Sequence, residues 1–193
     1  MSTCPDDFRA PLCKLLQNFA LKHPEQKITA DSMLAFILST PHCFERSNTA
    51  GHMTGSAWLL NPAGDKALLT LHHNLQRWMQ TGGHADSDPD LLRVALREAE
   101  EESGISGISP ISPEIFDIDI HLIPARPGRG EPAHYHYDVR YLLRAPHERF
   151  SISPESDALA WWGAADFATR ATELDTSVLR MASKWNHATR ADT

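Results

Sequence analysis

The sequence predicts an α+β fold preceded by a small helical N-terminal extension. Residues 8–21 and 30–38 place apolar side chains at helical spacing, which predicts two helices at the start. From Gly51 onward, apolar runs of strand length alternate with turn-forming residues, which predicts a sheet. Residues 89–103 then form one strongly amphipathic helical segment between predicted strands. Helices first and strands with helices afterwards are typical of the α+β class.

A helix-breaking pair of residues separates the two N-terminal helical segments, whose apolar spacing is helical and differs from the strand-length apolar runs that follow. His23 and Pro24 interrupt the helical pattern between them. We therefore expect a helical extension over residues 1–45 and one α+β domain over residues 46–193, a division consistent with a chain of 193 residues.

The sequence predicts two hairpins, two further strands and one further helix in the α+β domain. We expect a hairpin of residues 56–60 and 66–73, a strand over 77–83, a long hairpin of 116–123 and 133–144, a short strand over 158–162, and a closing helix over 174–187.

Composition limits the partners of the chain. The 18 Lys and Arg residues against 25 Asp and Glu residues give a net charge of −7, which argues against binding of nucleic acid or an anionic membrane. A phosphate-bearing ligand would therefore need a local counter-charge. The three cysteines show no CxxC spacing, and neither a leader pattern nor a long apolar run is evident, so we expect a cytoplasmic protein with reduced thiols.

The helix predicted over 89–103 has clear ends and an apolar face. Asp88 is expected to cap the first turn, Pro89 to occupy the first helical position, and Gly104 to lie just beyond the end. Its apolar face is formed by Leu92, Ala95, Leu96 and Ala99.

Three carboxylates share another face of this helix. Glu98, Glu101 and Glu102 lie within an arc of roughly 100°. Like charges at this spacing repel, which invites a compensating cation, and carboxylate oxygens favour Mg²⁺ or Mn²⁺. Such a metal would supply the missing counter-charge for a phosphate. We expect Arg97 to orient Glu101 through an i,i+4 ion pair, although an isolated ExxEE is more often an ordinary solvated helix face.

The flanking residues favour the metal hypothesis, because the whole segment resembles the Nudix box, Gx5Ex7REUxEExGU, in which U is a bulky aliphatic residue. The matching residues are Gly83, Arg97, Glu98, Glu101, Glu102, Gly104 and Ile105. Two positions depart from the pattern. Ala99 replaces a bulky aliphatic residue, and Pro89 stands where the box has its first Glu, which by the resemblance would support the orientation of Arg97 and full metal occupancy.

The resemblance implies an α/β/α sandwich with a mixed sheet, and it implies roles for individual residues. Glu98, Glu101 and Glu102 would bind metal together with the carbonyl oxygen of Gly83, and Arg97 would support them. Glu98, Glu101 or Glu131, a residue of the loop 124–132, would accept the proton of the attacking water, and the sequence leaves this choice open.

Substrate contacts are predicted at residues other than the metal ligands of the box. His134, His136 and Asp138 alternate along one strand and therefore share a face, which is either a plain polar face or part of a cleft that binds phosphate, base or metal. We assign His84, His134, His136 and Arg126 to substrate binding.

Together these features predict Mg²⁺-dependent hydrolysis of a diphosphate linkage in a nucleoside diphosphate derivative or similar small organic pyrophosphate. Mn²⁺ is the alternative metal. The alternative, motivated by Pro89, is a Nudix-fold nucleotide-binding or regulatory module with impaired catalysis. A homodimer is a further expectation from the resemblance.

Overall fold

The structure, a computed structural model, describes residues 7–73, 75–154 and 156–191, without the side chains of Arg129 and of residues 186–191. The helices are α1 (Ala10–Lys22), α2 (Lys27–Ser39), α3 (Leu91–Ser103), α4 (Ala164–Thr169) and α5 (Thr176–Ala191). The strands are β1 (Gly51–Leu60), β2 (Lys66–His72), β3 (Arg77–Met79), β4 (Thr81–His84), β5 (Ser109–Ile123), β6 (His134–Arg144) and β7 (Ser156–Gly163).

The described strands form one mixed sheet in the order β3-β2-β1-β6-β5, with β4 also paired to β1 and β7 to β2. The pairing of β1 with β6 is parallel, and every other strand pair is antiparallel. β1 therefore lies at the centre of the sheet, where it contacts β6 on one side and β4 and β2 on the other.

Helices cover both faces of the sheet, which confirms the predicted α/β/α sandwich. On one face, α1, α2 and α3 share a hydrophobic core with alternate residues of the central strands, among them Met53, Ala57 and Val139. On the other face, α4 and α5 pack against a second core that contains Trp58 and Leu69. None of the described helices is long and apolar enough to cross a membrane.

The structure changes several predicted boundaries. Residues 77–83 form two strands instead of one, because β3 pairs with β2 whereas β4 pairs with β1. β1 begins at Gly51 and β5 at Ser109, both earlier than predicted, and the short helix α4 was not predicted. Both predicted hairpins are present as antiparallel pairs, β1 with β2 and β5 with β6.

A buried ionic network joins β5, β6 and α5. Arg140 is 2% exposed, and its guanidinium lies 2.7 Å from Asp138 and 3.2 Å from Asp117. Asp117 also accepts hydrogen bonds from Arg180 and Lys184 of α5. Burial opposes ionisation of Asp117, but these cations hold its pKa below the ordinary value. The network fixes the position of α5 against the sheet.

We expect Arg140→Met to lower the free energy of unfolding by about 3–5 kcal/mol, because it leaves buried carboxylates without their shared cation. Urea denaturation of the two proteins measures the difference. Arg93→Met is the matched control, since Arg93 pairs with Asp88 at the exposed surface and should change the stability little. Equal stability of the Arg140 variant and the control would contradict a structural role for the network.

Gly55 permits the close approach of α3 to β1. A Cβ atom at this position would lie 2.6 Å from the Leu91 carbonyl oxygen and 3.0 Å from Val94 Cβ. We expect Gly55→Ala to destabilise the fold by about 1–3 kcal/mol, because the backbone of α3 must move away. Thermal unfolding measures this, and Gly128→Ala serves as control because, apart from its chain neighbours, none of the described residues lies within 4 Å of the added methyl group. A Gly55→Ala protein as stable as the control would show that the helix can shift at no cost.

Candidate functional site

The helix that carries the predicted carboxylates is α3, and its ends differ in part from prediction. Asp90 is the N-cap and accepts a hydrogen bond from the Arg93 amide, so Pro89 lies before the helix. The prediction of Asp88 as the cap is wrong: Asp88 instead pairs with the Arg93 side chain and accepts the Asp90 amide. Gly104 ends the helix with a φ of 66°, as predicted, in the left-handed conformation that glycine adopts without strain.

β4 brings backbone groups to two of the box carboxylates. A Cβ atom on Gly83 would lie 2.4 Å from Glu98 Oε2, so the absence of a side chain there makes room for Glu98. The amide of Gly82 donates a hydrogen bond of 2.7 Å to Glu102, which is 8% exposed. Glu98 and Glu102 are therefore directed at β4, while the role of the Gly83 carbonyl oxygen as a metal ligand stays a prediction.

Arg97 orients Glu98 and not Glu101. Its guanidinium lies 2.8 Å from Glu98 Oε1 and donates a second hydrogen bond of 3.0 Å to the His84 carbonyl oxygen. The hydrogen bond to Glu98 raises the pKa of Arg97. The predicted i,i+4 pair of Arg97 with Glu101 is thus replaced by a pair between sequence neighbours, because the His84 carbonyl draws the guanidinium towards β4.

Glu101 is exposed, and the contacts described for the chain include no hydrogen bond or ion pair of its side chain. The three box carboxylates do not bring their oxygens within 4.8 Å of one another, whereas one group of histidines among the described residues does so with its nitrogens. The carboxylates instead lie apart, as expected for like charges: Glu98 contacts Arg97, and Glu102 contacts the Gly82 amide.

The box residues nevertheless fit a Mg²⁺ ion by their donor chemistry. Carboxylate oxygens of Glu98, Glu101 and Glu102 and the carbonyl oxygen of Gly83 are the hard donors that Mg²⁺ prefers. The space beside Gly83, which a Cβ atom would fill, is where Glu98 lies.

The loop residues Arg126 and Glu131 face each other. They form an isolated antiparallel bridge with an N–O distance of 2.8 Å, and their side chains lie 3.9 Å apart. Both belong to the loop between β5 and β6, which leads directly into His134. The structure therefore pairs the predicted base Glu131 with the predicted substrate residue Arg126.

A cluster of histidines occupies one end of the sheet face that α4 and α5 cover at the other end. His52 on β1, His84 on β4 and His136 on β6 form a triangle with ring centroids 4.9–5.0 Å apart. His134 stacks on His52 at 4.9 Å, and His121 of β5 meets the His136 ring at 5.5 Å. The three histidines predicted to bind substrate, His84, His134 and His136, thus lie together.

The imidazoles of His52, His84 and His136 are held neutral. Burial lowers the pKa of His136 to about 2, with a further contribution from the neighbouring His84. Burial and the charge of Arg46 lower the pKa of His84 to about 4, and burial also lowers the pKa of His52. Neutral rings can pack in contact without the mutual repulsion that imidazolium ions would have.

Asp138, the third member of the predicted HxHxD face, has a structural role. It is 2% exposed and accepts hydrogen bonds from Thr54 and Ser56 of β1, at 2.8 and 2.7 Å. Its other oxygen accepts from Arg140. The polar face therefore continues inward as a satisfied network instead of lending a carboxylate to a metal.

His52 is the cluster member that the sequence analysis missed. It lies opposite His136 in the register of β1 and β6. A signal was present, because the alternation of Trp58, Ser56 and Thr54 extends back to His52 on the same face. The prediction began this strand at residue 56 and so left His52 out.

Comparisons with known proteins agree with this architecture. No family model matches the chain. A curated relative, the m7GpppN-mRNA hydrolase NUDT17 of Danio rerio, is 31% identical over 105 residues, which is 51% of this chain but 35% of the relative, so the chain spans about a third of its length.

Solved structures share the fold. A Nudix-family hydrolase from Clostridium perfringens aligns with a TM-score of 0.53 and 23% identity over 71% of this chain and 97% of that one. A MutT protein from Methanosarcina mazei aligns with a TM-score of 0.55 and 16% identity, over 74% and 97% of the two chains. A C. elegans Ap4A hydrolase aligns with a TM-score of 0.52 and 18% identity, over 73% and 98%. The chain therefore has the Nudix fold, the α/β/α sandwich that these solved structures share.

Proposed function

We propose that this chain is a metal-dependent pyrophosphohydrolase that cleaves a diphosphate linkage in a nucleoside diphosphate derivative or similar organic pyrophosphate. The observation that carries the proposal is the approach of Glu98 and Glu102 to the Gly82–Gly83 backbone, with Arg97 anchored between Glu98 and the His84 carbonyl. On an ordinary solvated helix face, Glu102 would be exposed to solvent instead of buried against a strand amide.

The box residues would bind the metal and keep it in place. Glu98, Glu101, Glu102 and the Gly83 carbonyl oxygen would hold Mg²⁺ or Mn²⁺. Arg97 orients Glu98 and partly balances the charge of the carboxylates while its second hydrogen bond ties α3 to β4. When bound, such a metal lowers the pKa of a coordinated water and offsets charge on phosphate oxygens.

Among the three candidate bases, we favour Glu101 for proton transfer. Arg97 forms an ion pair with Glu98, and Glu131 faces Arg126 in the loop, so both of these carboxylates already have a cationic partner. Glu101 is exposed on the same helix face and therefore has access to solvent and to a bound phosphate.

The substrate would lie between the box and the loop after β5. His84 follows Gly83 directly, and His134 and His136 share its sheet face, so all three can contact the non-reacting part of a ligand. The guanidinium of Arg126 lies 3.9 Å from the Glu131 carboxylate, which is longer than a hydrogen bond, and it can therefore bind phosphate oxygens. Two similar proteins are an Ap4A hydrolase and an m7GpppN-mRNA hydrolase, and the polyphosphate linkages of their substrates support this substrate class.

We expect turnover with Mg²⁺ or Mn²⁺ on at least one member of a panel of nucleoside diphosphate sugars, dinucleoside polyphosphates, nucleoside triphosphates and isoprenoid pyrophosphates. Glu101→Gln and Glu102→Gln should each lower kcat/KM by at least about 100-fold, because each removes a negatively charged metal ligand. Release of phosphate or monophosphate, followed by chromatography, measures the rates.

Glu100→Gln is the control for these variants. Glu100 lies on the same helix but accepts the amides of Gly107 and Ile108 in the following loop, so its amide analogue should retain nearly full activity. A fully active Glu101→Gln or Glu102→Gln protein would refute the metal assignment. Tight binding of one panel member without any turnover would favour the second candidate, a binding module.

Pro89 is the observation that favours that second candidate. It lies before the N-cap of α3, where the box has a Glu. If this position supports Arg97 in an active site, Pro89→Glu should raise kcat by about tenfold, since partners of metal-ligating groups contribute on this scale. Pro89→Gln controls for loss of the proline ring, and equal rates of the two variants would show that a charge at this position has no role.

A further inference from the structure

The histidine cluster has the properties of a second metal site, separate from the box carboxylates. We propose that His52, His84 and His136 bind one divalent transition-metal ion of the zinc class through their imidazole nitrogens. Each residue offers one ligand atom, and these atoms lie within 4.8 Å of one another. Imidazole donors suit Zn²⁺ and related ions, whereas Mg²⁺ requires oxygen donors.

The first supporting observation is a pair of buried nitrogens without partners. His52 is 3% exposed, and its Nε2 atom is buried and makes no hydrogen bond with any of the described residues. The Nε2 atom of His136 is buried without a partner in the same way. Leaving a buried polar atom unpaired is unfavourable, and a coordinated ion would satisfy both atoms.

The tautomer of His52 follows from its other nitrogen. Nδ1 lies 3.5 Å from the Asn48 carbonyl oxygen, which only accepts hydrogen bonds, so Nδ1 carries the proton. Nε2 then carries no proton, is directed away from this carbonyl, and has a lone pair that can bind a metal ion. A ring nitrogen that donates to a backbone carbonyl while the opposite nitrogen is bare is the usual arrangement of metal-ligating histidines.

The geometry needs only small side-chain adjustments. Tetrahedral Zn²⁺ with Zn–N bonds of about 2.0–2.1 Å holds its ligand nitrogens about 3.3 Å apart. The candidate nitrogens already lie within 4.8 Å of one another and the three ring centroids are nearly equidistant, so rotation about side-chain bonds can bring the nitrogens to this spacing. His84 and His136 are half-buried, which leaves a path for the ion from solvent.

The site is distinct from the box because it lies on the other face of β4. Gly83 faces Glu98 of α3, and the next residue, His84, points to the opposite side of the sheet. Three protein ligands leave a fourth position open. If the proposed function holds, an oxygen of the ligand can occupy that position, so His84 and His136 would contact substrate through the ion.

The test measures metal binding without reference to activity. Full-length protein freed of metal by chelator is titrated with Zn²⁺ against a chromophoric chelator, and with Co²⁺ followed by visible absorption, in the presence of millimolar Mg²⁺. We expect one equivalent to bind, with the absorption of a tetrahedral Co²⁺ site. His84→Asn and His136→Asn should each weaken the affinity by at least about 100-fold.

Two control variants make the result specific. His134→Asn changes a ring that stacks on His52 but is not in the three-residue group, and it should alter the affinity by less than about threefold. Glu101→Gln should leave Zn²⁺ binding intact, since it changes only the box. His52→Asn is added as a third test variant, with circular dichroism to check that this buried position still folds.

Less than one equivalent of Zn²⁺ bound by the wild type, or equal affinity of the His84→Asn and His136→Asn proteins, would overturn the inference. So would binding that depends on Glu101 and not on the histidines. These outcomes can be distinguished from failure of the proposed function. Hydrolysis with Mg²⁺ can be present without Zn²⁺ binding, and Zn²⁺ can bind a protein that has no hydrolase activity.

Discussion

The parallel pairing of β1 with β6 is the constraint on which the rest of the structure depends. It runs without interruption from the pair Gly51–Tyr135 to the pair Leu60–Arg144, and so joins segments that are more than 80 residues apart. Because side chains alternate along both strands, this register places His52 beside His136 and Thr54 beside Asp138 on one face. A slip of one residue would carry the histidines into the core beneath α3.

That face is divided along its length. Its apolar end, around Trp58 and Leu60, is covered by α4 and α5, and its polar end carries the histidines. Between the two ends, Asp117, Asp119 and Asp138 are balanced by Arg140, Arg180 and Lys184. A buried network with matched charges avoids the cost of an unpaired ion. It also joins the helical layer to the strands that hold the candidate sites.

Several features were predictable because they depend on residues close together in the chain. α3 was recognised from its apolar spacing, and its end at Gly104 from the residue type that tolerates a positive φ. The partner of Arg97 was not predictable, because it depends on the His84 carbonyl that β4 brings to the helix. The split of residues 77–83 into two strands was missed for the same reason, since β3 and β4 take different partners.

Local sequence was sufficient for the α+β class, the box carboxylates on one helix face and the shared face of His134 and His136, because helical and strand periodicities are properties of contiguous residues. Only the tertiary structure decided that Glu102 is buried against the Gly82 amide, that Asp138 belongs to an ionic network and that His52 completes a group of three histidines. Each of these depends on contacts between strands and helices far apart in the chain, and such contacts follow from sheet register and layer packing and not from local spacing.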